Sequence, residues 1–174
     1  SLKLIFLIVY SKIIVYFNII YQIMDALDKK IIYELQKNGR LSNFEIAEKV
    51  GLSPSPCLRR IKNLEKNKII SGYTAIVDEE LFGYPITAFV SVRLENQTDG
   101  TLKKFEKGIS TLVEVVDCWL VTGNRDYLLR VVAKNLKTYE KFMREDLTKI
   151  IGIASIETNF ALGSVKTKQP LPIK

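Results

Sequence analysis

Residues 24–76 show three helical patterns separated by turn residues, and from residue 87 onward strand and helix patterns alternate. These two observations predict an α+β protein, a helix-turn-helix unit followed by a ferredoxin-like βαββαβ domain. A third observation, positive charge concentrated in the first unit, separates their roles. The expected division is an apolar extension over 1–23, a first domain over 24–77, a linker over 78–86, a second domain over 87–166 and a tail over 167–174.

The formal net charge is +7 over 174 residues. Residues 24–76 carry ten basic and six acidic side chains, whereas residues 77–174 carry fourteen and thirteen. Five basic residues fall between Arg59 and Lys68, opposed there by Glu65 alone, as a phosphate-facing surface requires. The chain has no histidine, which excludes Ser-His-Asp and Cys-His catalysis and His-based zinc ligation. Cys57 and Cys118 lie far apart without a partner motif and read as reduced thiols. With no metal cluster or glycine-rich phosphate loop, neither a cofactor nor an enzyme is expected.

Seventeen of the first 23 residues are apolar, close to the make-up of a membrane-spanning helix, but Lys12 interrupts the run and Asn18 and Gln22 follow. Three readings compete: a membrane anchor, an additional ordered element, or sequence upstream of the true start. Met24, followed at once by a well-formed helix, favours the last. No membrane partner is expected unless residues 1–23 are native.

The first helix carries Leu27, Ile31, Ile32 and Leu35 on one face, with Asp25 and Asp28 at its positive end. Asn38-Gly39 stops it. Ser42 and Glu45 form a capping box for a short second helix, with Phe44, Ile46, Ala47 and Val50 inward and Gly51 as its left-handed end. A third helix opens on Ser53 as N-cap and Pro54 at the first helical position. Leu58, Ile61 and Leu64 form its expected buried stripe. Arg59, Arg60, Lys62 and Lys66 take the other faces, and Ser55 and Pro56 the exposed start. Such a helix suits a DNA groove. The run after Lys68 reads as strand, turn and strand about Ser71-Gly72, a small wing or a connector.

In the second half, Thr87 to Glu95 alternates as a half-buried strand, and Asp99 to Ser110 is a helix with Leu102, Phe105 and Ile109 inward. Strands over 112–122 and 126–133 are joined by Gly123-Asn124-Arg125, a hairpin signal. Leu136, Tyr139, Phe142, Met143, Leu147 and Ile150 make a second helix that Gly152 breaks, and a last strand runs over 153–165. The Trp119-Leu120-Val121 run is too apolar for an exposed sheet face, so a second subunit should cover it. Two DNA-binding heads and a roughly palindromic site would follow.

The stretch LDKKIIYELQKNGRLSNFEIAEKVGLSPSPCLRRIKNLEKNKIISGYTAIVD, together with WLVTGNRDYLLRV, resembles the Lrp/AsnC family, the feast/famine transcriptional regulators, and especially its leucine-responsive branch. The resemblance covers about Leu27 to Lys166. It implies a winged helix-turn-helix and a ferredoxin-like domain that senses amino acids, in homodimers that assemble further, commonly into octamers. Carried to this chain, it places double-stranded DNA against Ser53, Ser55, Pro56, Arg59, Arg60 and Lys62, with Ser42 and Asn43 as phosphate contacts. It places an amino-acid effector of unknown identity against Thr122, Gly123, Asn124, Asp126 and Tyr127, with Thr158, Asn159, Phe160 and Ala161 from the last strand. Asp126 would pair with the effector's ammonium, and loop amides would receive its carboxylate. One position departs from the family: Arg125 stands where an aromatic residue is usual, which favours an acidic or polar effector, or none.

The leading function is a cytoplasmic, sequence-specific DNA-binding regulator whose second domain senses a small amino acid and sets oligomeric state. An architectural DNA-compacting protein without an effector is the alternative, and it predicts broad binding that amino acids do not alter. A small enzyme, which the ferredoxin-like domain could in principle host, stands against the missing histidine. A chain beginning at Met24 is expected to be soluble, oligomeric and competent for DNA. Light scattering and operator binding check this, and aggregation or lost assembly would refute it.

Overall fold

A computed structural model describes residues 24–173. The expected extension over 1–23 lies outside the described residues. Two compact units result: the described chain up to Ala75 with the tail from Lys166, and Ile76–Val165. Among the described residues no helix is long and apolar enough to cross a membrane.

The first unit is three helices, α1 (Ala26–Lys37), α2 (Asn43–Val50) and α3 (Pro54–Lys66). Two capping boxes start the first two. The Asp25 carboxylate accepts from the Asp28 amide at 2.9 Å while Asp28 accepts from the Asp25 amide at 3.1 Å. Ser42 and Glu45 repeat the arrangement on α2, at 3.3 Å from the Glu45 amide and 2.7 Å from the Ser42 amide. Gly51, at φ 73°, supplies the left-handed residue that ends α2. Ser53 does occupy the N-cap of α3, but its hydroxyl makes no capping bond. The reason is local. An N-cap side chain accepts from the second or third helical amide, and Pro56 at the third position removes one of those two donors, leaving only that of Ser55.

Ile31, Ile46, Ala47, Val50, Cys57, Ile61 and Leu64 form the core of this unit. Two inward expectations need correction. On α3 the buried stripe is Cys57, Ile61 and Leu64, and Leu58 is exposed beside it. On α2 Phe44 is exposed, because it stands about 200° around the helix from Ile46. The expected strand–turn–strand after Lys68 is also absent. The amides of Ile69 and Ile70 both donate to the Leu64 carbonyl, at 3.0 and 3.2 Å, so they finish α3 instead of opening a ladder. Their side chains pack against the core, and the chain continues to Val77 without strand pairing.

The second unit runs β1 (Ile86–Leu94), α4 (Asp99–Ile109), β2 (Val115–Leu120), β3 (Tyr127–Ala133), α5 (Leu136–Glu145), a 3₁₀ turn (Leu147–Lys149) and β4 (Ile153–Phe160). The sheet order is β2-β3-β1-β4, with every neighbouring pair antiparallel. This is the expected ferredoxin-like arrangement. Ala88, Val90, Val92 and Leu94 alternate inward from β1 and meet Tyr127, Leu129, Val131 and Ala133 from β3 under Phe105, Ile109, Tyr139, Phe142 and Leu147. Elements end sooner than the hydrophobic runs suggest. The first hairpin strand begins at Val115, the last stops at Phe160, and the second helix closes at Glu145 with Leu136 exposed at its start. Residues 78–84, expected within a linker, form a hydrogen-bonded turn, with the Tyr84 amide 2.8 Å from the Glu79 carbonyl.

Gly152 has φ +98°, and a Cβ there would stand 2.8 Å from Thr101 Cγ2. Gly152→Ala is expected to lower stability by about 1–3 kcal/mol from backbone strain alone, whereas Gly163→Ala, with open space around it, should be nearly neutral. Urea denaturation of the two variants checks the contrast.

Candidate functional site

The solvent side of α3 presents Ser53, Ser55, Arg59 and Lys62, all exposed, with Pro56 half-buried at the first turn. Arg60 goes elsewhere. Its Nη1 donates to Asp25 Oδ2 at 2.8 Å and to Asp28 Oδ1 at 2.9 Å, joining α3 to the first turn of α1. Asp28 is only 7% exposed, so the guanidinium neutralises a carboxylate that solvent cannot. Asp28 above all, and then Asp25, holds Arg60 protonated beyond its ordinary range. Asn43 is also directed inward: its side-chain amide donates to the Pro54 carbonyl at 2.8 Å and fixes the start of α3 against α2. The Ser42 hydroxyl donates to Glu45 Oε2 at 2.7 Å at the exposed start of α2. Of the eight expected DNA contacts, two therefore position the helix that carries most of the others. Asp25 and Asp28 were not expected in this role, since no local spacing links them to Arg60.

In the second unit the turn between β2 and β3 is closed by the Val121 amide donating to the Asp126 carbonyl at 2.9 Å, with Gly123 at φ +116°. Thr122, Gly123 and Asn124 are exposed. Asp126 corrects the expectation placed on it. It is 7% exposed, Oδ2 accepts from the Leu94 amide at 2.7 Å and Oδ1 from Gln97 Nε2 at 2.7 Å. The β1–β4 register shifts between Arg93 and Leu94, and the Asp126 carboxylate serves the backbone at that irregularity. Tyr127 is buried too: its hydroxyl donates to Glu106 Oε1 at 2.8 Å, and burial pushes its pKa up. On β4, Thr158 shares a 2.7 Å hydrogen bond with the Tyr139 hydroxyl, and Phe160 packs edge-on to the Tyr139 ring. Asn159 and Ala161 are exposed, the latter donating its amide to the Thr87 carbonyl at 2.9 Å. Arg125, which stood outside the expected set, reaches Glu157 Oε2 at 2.6 Å and Ser155 Oγ at 3.3 Å.

The sequence pattern of the Lrp/AsnC ligand binding domain matches residues 87–171, and that of a winged helix-turn-helix DNA-binding domain matches 24–71. The chain is 44% identical over 150 residues to the Bkd operon transcriptional regulator of Pseudomonas aeruginosa, covering 86% of this chain and 98% of that protein. The chain belongs to the Lrp/AsnC family. A leucine-responsive regulatory protein of Rhizobium meliloti is 40% identical over 143 residues, covering 82% of this chain and 92% of the relative. Among solved structures, a Neisseria meningitidis transcriptional regulator in complex with L-Met superposes with TM-score 0.81 at 34% identity, covering 86% of this chain and 96% of that one. An AsnC family regulator of Agrobacterium tumefaciens gives TM-score 0.80 at 36% identity, covering 86% and 97%.

Within this Lrp/AsnC protein the helix-turn-helix is the DNA-binding unit and the sheet domain is the ligand-binding unit. The family is one of transcriptional regulators rather than enzymes. The division matches the charge distribution, +4 over residues 24–76 and +1 over 77–174.

The Asp28 amide first, and Arg60 in addition, hold the Asp25 carboxyl below its ordinary value of 3.8. A carboxyl with a depressed folded-state pKa contributes stability above its unfolded value, and that contribution is lost as pH falls through the folded value. The DNA-binding unit should therefore lose stability as pH drops below 3.8. In Arg60→Ala part of that acid dependence disappears, and neutral-pH stability falls by about 1–3 kcal/mol because Asp28 loses its counter-charge. Denaturation midpoints across the acid range, for parent and variant, measure both effects.

Proposed function

We propose that this Lrp/AsnC regulator binds double-stranded DNA in the cytoplasm through the exposed side of α3 and changes its DNA binding and assembly when a small amino acid occupies the sheet domain. The observation that carries the DNA half is the separation of the two adjacent arginines. Arg60 is committed to Asp25 and Asp28, which leaves Arg59, with Ser53, Ser55 and Lys62, on the exposed face. Arg59 reads base edges, Lys62 contacts phosphate, and Ser42 at the exposed start of α2 adds a second phosphate contact.

The sheet supports the assembly half. Its helices cover one face only, and the other carries Phe89, Trp119 and Leu128 around Arg130, which pairs with Asp117 at 2.6 Å and Glu79 at 2.8 Å. Trp119 is 45% exposed in the single chain. A twofold partner laid on this face buries that apolar strip and gives two DNA-binding heads, hence a roughly palindromic operator. Such dimers associate further, up to octamers. The L-Met bound by the Neisseria relative supports an amino acid as effector here.

Arg59→Ala is expected to weaken operator binding by about 1–3 kcal/mol and to relax sequence preference, without a change in thermal stability. Fluorescence anisotropy on operator and scrambled duplexes, with and without added amino acids, tests the reading. Undiminished operator affinity in Arg59→Ala would refute the DNA assignment, and binding indifferent to all twenty amino acids would refute the sensing half.

A further inference from the structure

An amino-acid effector must offer its carboxylate to a cation and its ammonium to an anion a few ångströms away. The Asp126 carboxylate is buried and already accepts from the Leu94 amide and from Gln97, so an exposed anion has to come from another residue. The loop and the last strand nevertheless contain one pair of opposite charges that solvent reaches. Arg125 projects from the β2–β3 turn, its side chain 28% exposed, and meets Glu157 on β4, 55% exposed, at 2.6 Å. Ser155 Oγ accepts from Arg125 Nη1 at 3.3 Å and so orients the guanidinium plane.

The register shows which face they share. Ser155 stands opposite Arg93 and Glu157 opposite Ser91, and paired residues of antiparallel strands point to the same side. Ser91 and Arg93 alternate with Val90, Val92 and Leu94, which face the helices, so this polar corner lies at the β4 edge of the helix-free face, beside the Phe89, Trp119 and Leu128 strip assigned to the partner and not within it. Two guanidiniums and one carboxylate give it a net positive charge, suited to a ligand whose carboxylate leads.

We propose that Arg125 and Glu157 are the residues that recognise the effector's charged ends, with Arg125 taking the α-carboxylate and Glu157 the α-ammonium. This rests on the amino-acid-sensing reading above and names the recognition chemistry of that site. In the free protein the two side chains satisfy each other. On binding, the zwitterion inserts between them: the guanidinium fork takes the ligand carboxylate through paired N–H···O bonds, and the released Glu157 carboxylate accepts from the ammonium. An exposed ion pair contributes little to folding, so exchanging it for two ligand contacts costs little. The specificity that follows is for free α-amino acids. Amines, amides and hydroxy acids lack one of the two charges.

The test uses the full-length protein. The twenty L-amino acids are screened by thermal shift, and the strongest binder is taken into calorimetry with its α-amide and its 2-hydroxy-acid analogue. The parent protein is expected to prefer the amino acid over either analogue by at least about tenfold, the scale of one charge-assisted hydrogen-bonded contact. In Arg125→Gln the preference of acid over amide should vanish, and in Glu157→Gln the preference of amine over hydroxyl should vanish. A merely structural pair would lower all three affinities together and leave those ratios unchanged. Ratios unchanged in both variants overturn the proposal while the sensing function stands. If no amino acid shifts the parent protein, the sensing reading and the proposal fall together. The two substitutions lie on different elements, so a folding failure in one leaves the other to decide.

Discussion

The ion pair of Arg60 with Asp25 and Asp28 is the interaction on which the DNA-binding unit turns. Asp25 caps α1 and Asp28 completes the box, so both carboxylates are already oriented by backbone amides before Arg60 reaches them. Two acids so close in a half-buried setting need a counter-charge, and α3 supplies it from its inner flank. The same contact fixes the rotation of α3 about its axis. Cys57, Ile61 and Leu64 then face the core and Arg59 faces solvent. Asn43, through the Pro54 carbonyl, fixes where that helix begins. Two polar residues, Asn43 and Arg60, thus fix the helix whose other side presents Arg59 and Lys62 to solvent.

A comparable division occurs in the sheet domain. Asp126 looks like a ligand-binding acid in the sequence, yet it is a buried acceptor for the end of β1. Burying a charge without partners is costly, so a carboxylate at 7% exposure is expected to have a donor on each oxygen, and this one does. Its neighbour Arg125 points to the opposite side of the chain, where solvent and Glu157 meet it. Adjacent residues entering a strand face opposite ways, and here that geometry assigns one charged residue to the fold and the next to the surface.

The open face of the sheet combines apolar area with paired charge. Arg130 sits between Asp117 and Glu79, so every charge at the centre of that face has a partner while the three residues together keep one negative charge, and Phe89, Trp119 and Leu128 flank it. The turn over 78–84 contributes Glu79 to it, which makes a stretch that reads as a linker part of the sheet domain's surface.

The elements and their order were legible in the sequence, because each rests on local chemistry. The Ser42–Glu45 box, Gly51 at positive φ, Pro54 in the first turn and the alternation along β1 all act within a few residues of themselves. The antiparallel order β2-β3-β1-β4 follows from the succession of those elements. Where a neighbouring residue pair offered two choices, tertiary contacts decided. Cys57 is buried rather than Leu58, Arg60 is paired rather than Arg59, and Ile69 and Ile70 finish a helix instead of beginning a strand. Asp126 is drawn into the fold by Leu94 and Gln97 for the same reason. A side chain's role depends on partners 30 or so residues away, such as Leu94 for Asp126 and Asp28 for Arg60. Periodicity reports which residues share a face of their own helix or strand. It carries no record of which distant donor, acceptor or charge will come to meet them.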